Sequence, residues 1–166
     1  IAKTLFDTGY PMANIKFYAS DSSKSALVIA RKNAKNLYMN KYIRFFYSNL
    51  FLNKRLPKKY DLIAANLPYV PMSSKKRKKL PIDFEPRDAI FAKNKGREIV
   101  FRFLDSFRTQ ISARYLLLEL DPRNIESIRK YTKNIFDNAQ IEIKKDLAGK
   151  ARYLIINSLN YNPGNL

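Results

Sequence analysis

The chain has no cysteine, no histidine and no tryptophan, and only four glycines in 166 residues. Without cysteine there can be no disulfide and no thiolate metal site, which fits a reducing cytoplasm. Without histidine the most frequent general base and zinc ligand is gone, so His-dependent catalysis is excluded and no metal site is expected. No apolar run approaches the roughly 18 residues that a membrane span requires. Acidic residues are also scarce, 14 against 32 basic ones, for a formal charge of +18.

What is present is enough for one globular domain. Hydrophobic residues make up 46% of the chain, far from a disordered composition. The positive charge has two readings. One is affinity for phosphate-rich partners, including a ribosomal RNA contact through the basic surface. The other is lysine scattered over solvated faces, which the even spread of basic residues favours. The one dense cluster is Lys75-Lys76-Arg77-Lys78-Lys79. No signal peptide is visible, and the chain begins at Ile1 rather than Met, so its start is expected upstream.

Strands and helices alternate along the sequence. Residues 1–7 read as the end of a helix closed by Gly9. Residues 15–20 read as a strand ending at Asp21, and residues 22–37 as a helix capped by Ser22 or Ser23. Short strands are expected over 43–47 and 62–65. Residues 73–87 form a long, charged, proline-containing connection. A helix is expected over 97–111. The apolar run 115–120 reads as a strand covered on both faces. The next helix is expected from Asp121-Pro122 to about Phe136. Two strands follow, at 139–145 and 152–157, and the tail 159–166 is expected to be flexible. The pattern predicts an α/β, doubly wound, mostly parallel sheet with a late antiparallel strand.

The stretch with most chemistry is residues 60–71, YDLIAANLPYVP. A buried strand that stops at Asn66, then Leu67-Pro68-Tyr69, sets an amide, bare carbonyls and an aromatic face at the strand's carboxyl end. In open α/β sheets ligands bind at that edge. The plainer reading is a strand-ending Asn-Xaa-Pro turn with a surface tyrosine. Asp21 also closes a strand before a helix, where a carboxylate can accept both hydroxyls of a ribose or simply cap the helix. Asn49 can accept a hydrogen bond through its carbonyl oxygen. Leu50 and Phe51 either pack on a flat ring or belong to the core. Glu119, at another strand's carboxyl end, lies on the ligand edge or is structural.

These motifs, in this order, resemble the release-factor glutamine methyltransferases (the HemK or PrmC family), which belong to the class I, Rossmann-like methyltransferases. The resemblance covers Asp21, residues 30–34, residues 48–51, residues 60–71, Phe84-Glu85-Pro86 with Ala89, Leu117-Leu118-Glu119 and the run 146–152, DLAGKAR. It implies S-adenosyl-L-methionine as cofactor and a glutamine side chain of a peptide chain release factor as substrate. By this resemblance Asp21, Asn49, Leu50 and Asn66 bind the cofactor. Asn66, Leu67, Pro68 and Tyr69 bind the substrate amide, and Asn66, Pro68 and Tyr69 are the catalytic set. Glu85 and Arg152 brace loops through ion pairs.

Two departures stand out. Leu67 replaces the first of two prolines common in the family. Asn-Leu-Pro-Tyr is also characteristic of ribosomal-RNA adenine-N6 methyltransferases, so a methyltransferase for RNA or DNA adenine stays open as an alternative. In addition, no two of Gly9, Gly96, Gly149 and Gly164 are close, so the family's Gly-rich loop after its first strand is not in this sequence. The implied reading is a partial catalytic domain over residues 1–158 with the first, central strand missing, which would split the sheet. A truncated, inactive nucleic-acid-binding domain is the remaining alternative.

Overall fold

The computed structural model describes residues 1–67, 70–71, 91–92 and 97–157. Pro68 and Tyr69, the basic cluster 75–79, Glu85-Pro86, Ala89 and the tail 159–166 lie outside the described residues. Two compact units are defined, Ile1–Pro57 and Lys58–Leu166.

The first unit holds helix α1 (Ala2–Asp7), a 3-10 turn (Met12–Asn14), strand β1 (Phe17–Asp21), helix α2 (Lys24–Asn36) and strand β2 (Ile43–Tyr47). Gly9 sits at φ +74 just beyond α1, where a left-handed residue closes the last turn. Ser23 is the N-cap of α2, and its hydroxyl accepts the Ala26 N–H at 3.2 Å. Of the two candidates it is Ser23, because Asp21 Oδ1 accepts the Ser23 N–H at 2.7 Å and turns the chain one residue later. The two strands pair in parallel, Phe17 with Ile43 through Asp21 with Tyr47. Met12, Leu27, Ala34, Met39, Phe51 and Leu56 form the core.

The second unit holds β3 (Lys59–Asn66), the two-residue strands β4 (Val70–Pro71) and β5 (Phe91–Ala92), helix α3 (Glu98–Gln110), β6 (Ser112–Glu119), helix α4 (Ile125–Ile135), β7 (Gln140–Lys145) and β8 (Ala151–Asn157). The main sheet has the order β3-β6-β8-β7. β3 and β6 are parallel, while β8 runs antiparallel to both β6 and β7. This is the late antiparallel strand expected from the sequence. Among the described residues β1 has a strand on one edge only, and so has β3.

Two expectations need correction. The run 115–120 is not covered on both faces. Leu116 and Leu118 are buried with Leu154 and Ile156 beneath α3 and α4, whose Val100, Phe103, Leu104, Phe107 and Ile128 complete the core. The opposite face carries Leu62 (48% exposed) and Tyr115 (36% exposed). An all-leucine run reads as buried on both faces whichever face the helices cover. Helix α4 also starts at Ile125, not at Asp121-Pro122. Asp121 Oδ1 accepts both the Arg123 N–H and its Nε–H at 2.9 Å, and the Asn124 N–H reaches the Asp121 carbonyl at 2.9 Å. A short carboxylate that captures nearby N–H groups favours a turn over a helical start.

Candidate active site

In the first unit the parallel pairing brings the ends of β1 and β2 side by side. Asp21 is the last residue of β1, and its carbonyl accepts the Ser48 N–H at 2.9 Å, one step beyond the ladder. Its carboxylate is exposed. Oδ1 holds the Ser23 N–H, and Oδ2 has no partner among the described residues. The turn after β2 is tied by its own side chains. The buried Ser48 hydroxyl donates to the Leu50 carbonyl at 2.8 Å and accepts the Asn53 N–H at 3.1 Å. Asn53 donates through Nδ2 to the Tyr47 carbonyl at 2.9 Å and accepts the Arg55 N–H at 2.9 Å.

These ties hold Leu50 at φ +51, a conformation that costs a non-glycine residue about 1 kcal/mol or more. Asn49, beside it, is exposed, and its carboxamide has no hydrogen bond among the described residues. Phe51 is buried in the unit's core, which decides its earlier ambiguity in favour of packing. Leu50 is half-buried. Ser48 and Asn53 were not singled out from the sequence. The run Ser48-Asn49-Leu50-Phe51-Leu52-Asn53 does carry a signal, because Ser and Asn flanking a short stretch are the residues that tie turns to themselves.

In the second unit Asn66 ends β3 and lies in register with Glu119, the last residue of β6. Both strands run the same way, so both side chains stand at the carboxyl end of the sheet. Asn66 is exposed and its carboxamide is unengaged among the described residues. Leu67 is half-buried. Asp21 and Asn49 therefore share one strand end in the first unit, while Asn66 belongs to the second.

The β7–β8 hairpin turns at the same end of β6, since Glu119 pairs with Tyr153. Asp146 organises it. Its Oδ1 accepts the Ala148 N–H at 3.0 Å and the Lys150 N–H at 2.9 Å, and Oδ2 faces Arg152 Nε at 3.4 Å. Gly149, at φ +75, supplies the left-handed residue that the turn requires. The Lys150 N–H, and after it the Arg152 side chain, hold the Asp146 carboxyl below the usual carboxylate range. Arg152 is thus a brace for this turn. Asp121 is likewise held below the ordinary range, chiefly by the Arg123 side chain.

Residues 3–83 match the family model described as an RMKL-like methyltransferase domain. The release factor glutamine methyltransferase of Leptospira interrogans is 36% identical over 140 residues, which is 82% of this chain and 48% of that protein. The chain spans about half the length of the curated relatives it matches, at 47–49% of the first three. Among solved structures, the hMettl16 catalytic domain in complex with a MAT2A 3′UTR hairpin matches with a TM-score of 0.66, at 16% identity, over 96% of this chain and 58% of that one. SMU.1697c from Streptococcus mutans, in complex with SAH, matches with a TM-score of 0.57, at 14% identity, over 92% and 82% of the two chains.

The fold is that of the class I methyltransferases. Within that class, the chain's sequence kinship is with the release factor glutamine methyltransferases.

Proposed function

We propose that residues 1–158 are catalytic-domain sequence of a methyltransferase that moves the methyl group of S-adenosyl-L-methionine to the side-chain amide nitrogen of a glutamine in a peptide chain release factor. The carrying observation is Asn66, the terminal residue of β3, exposed and with an unengaged carboxamide. An amide nitrogen is a poor nucleophile because its lone pair is delocalised into the carbonyl. The Asn66 carboxamide oxygen accepts one N–H of the substrate amide, and the carbonyl of Leu67 or Pro68 accepts the other. Two fixed acceptors orient the nitrogen and stabilise the positive charge it gains as the new bond forms. By the resemblance, Pro68 and Tyr69, which lie outside the described residues, complete the catalytic and substrate-binding set.

The residues of the first unit suit the adenosine half of the cofactor. Asp21 Oδ2 has no partner among the described residues, and a carboxylate at the end of a parallel strand accepts ribose hydroxyls. The unengaged Asn49 carboxamide offers an acceptor for the adenine amino group. Leu50, half-buried on a strained turn, lies against the ring. When bound, the cofactor supplies an electrophilic methyl on sulfur. The protein's part is orientation and charge stabilisation, which suits a chain without histidine.

The relatives' names support the release factor as partner. The charge of +18 supports an accompanying ribosomal RNA contact. Among the described residues no helix is long and apolar enough to cross a membrane, and a cytoplasmic location fits the absence of cysteine. Labelled cofactor incubated with the full-length protein and either a release factor or ribosomal RNA tests the reading. Label on the release factor glutamine is expected. Label on RNA, with none on the release factor, overturns it.

A further inference from the structure

Several carboxylates of this chain are engaged. Asp7 pairs with Lys3, Asp121 with Arg123, Glu126 with Arg129, Glu142 with Lys144, Asp146 with Arg152, and Asp105 accepts the Tyr131 hydroxyl. Glu119 differs. It is half-buried, yet it has no hydrogen bond or ion pair among the described residues, in a chain with 32 basic and 14 acidic residues. A carboxylate that only braced the fold would be expected to find one of those cations.

Its placement is specific. Glu119 is the last residue of β6 and is the register partner of Asn66 on β3. Residues paired across neighbouring strands share a face of the sheet and stand about 4.8 Å apart. The face they share is the one that α3 and α4 leave open, with Leu62, Ala64 and Tyr115 below them. An acceptor carboxamide and a bare carboxylate thus stand side by side at the carboxyl edge.

We propose that Glu119 is a catalytic residue, the group that receives the proton shed by the substrate amide. This rests on the function proposed above. As the nitrogen–methyl bond forms, the methyl–sulfur bond breaks and its electron pair stays on sulfur. The nitrogen is then positively charged and must lose one of its two protons. The Asn66 carboxamide can hold an N–H but cannot take its proton. Glu119 shares the N–H that faces the Leu67 carbonyl and takes that proton as the nitrogen–methyl bond forms, which leaves a neutral N-methyl amide and a carboxylic acid that solvent reclaims.

The test uses the full-length protein, a release factor and labelled S-adenosylmethionine, and compares wild type with Glu119→Gln and Glu119→Asp. Glu119→Gln keeps an acceptor oxygen and loses the base, so kcat should fall about 10²-fold or more. Cofactor affinity and melting temperature should stay unchanged. Glu119→Asp should recover part of the rate. A Glu119→Gln rate within about threefold of wild type overturns the inference and leaves the proposed function standing. So does a rate loss that tracks a lowered melting temperature in both variants. A wild-type protein that binds cofactor but leaves the release factor unlabelled removes the proposed function, and this inference with it.

Discussion

The two units differ in how they hold the strand ends that carry the candidate residues. In Lys58–Leu166 the sheet rests on a dense layer: Val100, Leu104, Leu118, Leu120, Ile128 and Leu154 are fully shielded from solvent. In Ile1–Pro57 Met39 alone among the core side chains approaches that state, while Val28, Ile29 and Leu52 are each about two-thirds exposed. The first unit compensates locally, through the side-chain hydrogen bonds of Ser48 and Asn53. Asn66 and Glu119 therefore stand on strands fixed by burial, and Asp21 and Asn49 on a turn fixed by polar ties. Elements with few buried apolar contacts open most readily, so Asp21, Asn49 and Leu50 sit on the softer half.

The sharpest way to break this contrast is a matched pair of core truncations. Leu118→Ala removes a fully buried side chain from the second unit and should cost about 3–5 kcal/mol. Leu27→Ala, in the thinner core of the first unit, should cost nearer 2 kcal/mol, the low end of such changes. Urea unfolding of both variants decides the matter, and equal losses would show that burial does not separate the units. Asn66→Ala comes next. It should lower methyl transfer about 10²-fold without moving the urea midpoint, because the side chain is exposed and unengaged.

Much of this contrast was legible in the sequence, and the failures have physical causes. Asp21 and Asn66 were found because an apolar run that stops at a polar residue marks a strand end, and strand ends are where this fold binds ligands. The strand at Ile43–Tyr47 matched to the residue. Leu116 and Leu118 could not be told from Leu117 by pattern, so the open face of the sheet was invisible. The start of α4 was displaced because Asp121-Pro122 is a good helix opening in isolation, and only the structure shows the carboxylate bound to Arg123. Glu119 looked ordinary until the register set it beside Asn66.

Acid titration sharpens the comparison on the side of the dense unit. Asp121 is buried, and Arg123 lowers its pKa in the folded state. A depressed carboxyl pKa stabilises the fold fully above the unfolded value of about 3.9 and loses that contribution as pH falls through the lower, folded value. Asp121→Asn should therefore cost about 1–3 kcal/mol near neutral pH, the range for a charge-assisted hydrogen bond. The difference from wild type should shrink as unfolding is measured at progressively more acid pH below that range. A difference that stayed constant with pH would assign the loss to shape rather than charge.

The smallest effect addresses Leu50, whose side chain was open to two readings from the sequence. Its φ of +51 is maintained by the Ser48 hydroxyl on its carbonyl, at a cost that glycine would not incur. Leu50→Gly relieves that strain but gives up a half-buried side chain and gains chain entropy in the unfolded state. These terms oppose one another, so the net change in stability should stay under about 1 kcal/mol. Affinity for the cofactor should respond differently. If the side chain lies against the adenine ring, its loss weakens binding about 3- to 10-fold, as titration of the variant would measure, since a partly buried aliphatic contact is worth about 1 kcal/mol. Unchanged affinity with a lowered melting temperature would return Leu50 to the core. Weaker binding on an equally stable turn would mean that the first unit keeps a strained conformation for its ligand, at a position where its thin core gains nothing from it.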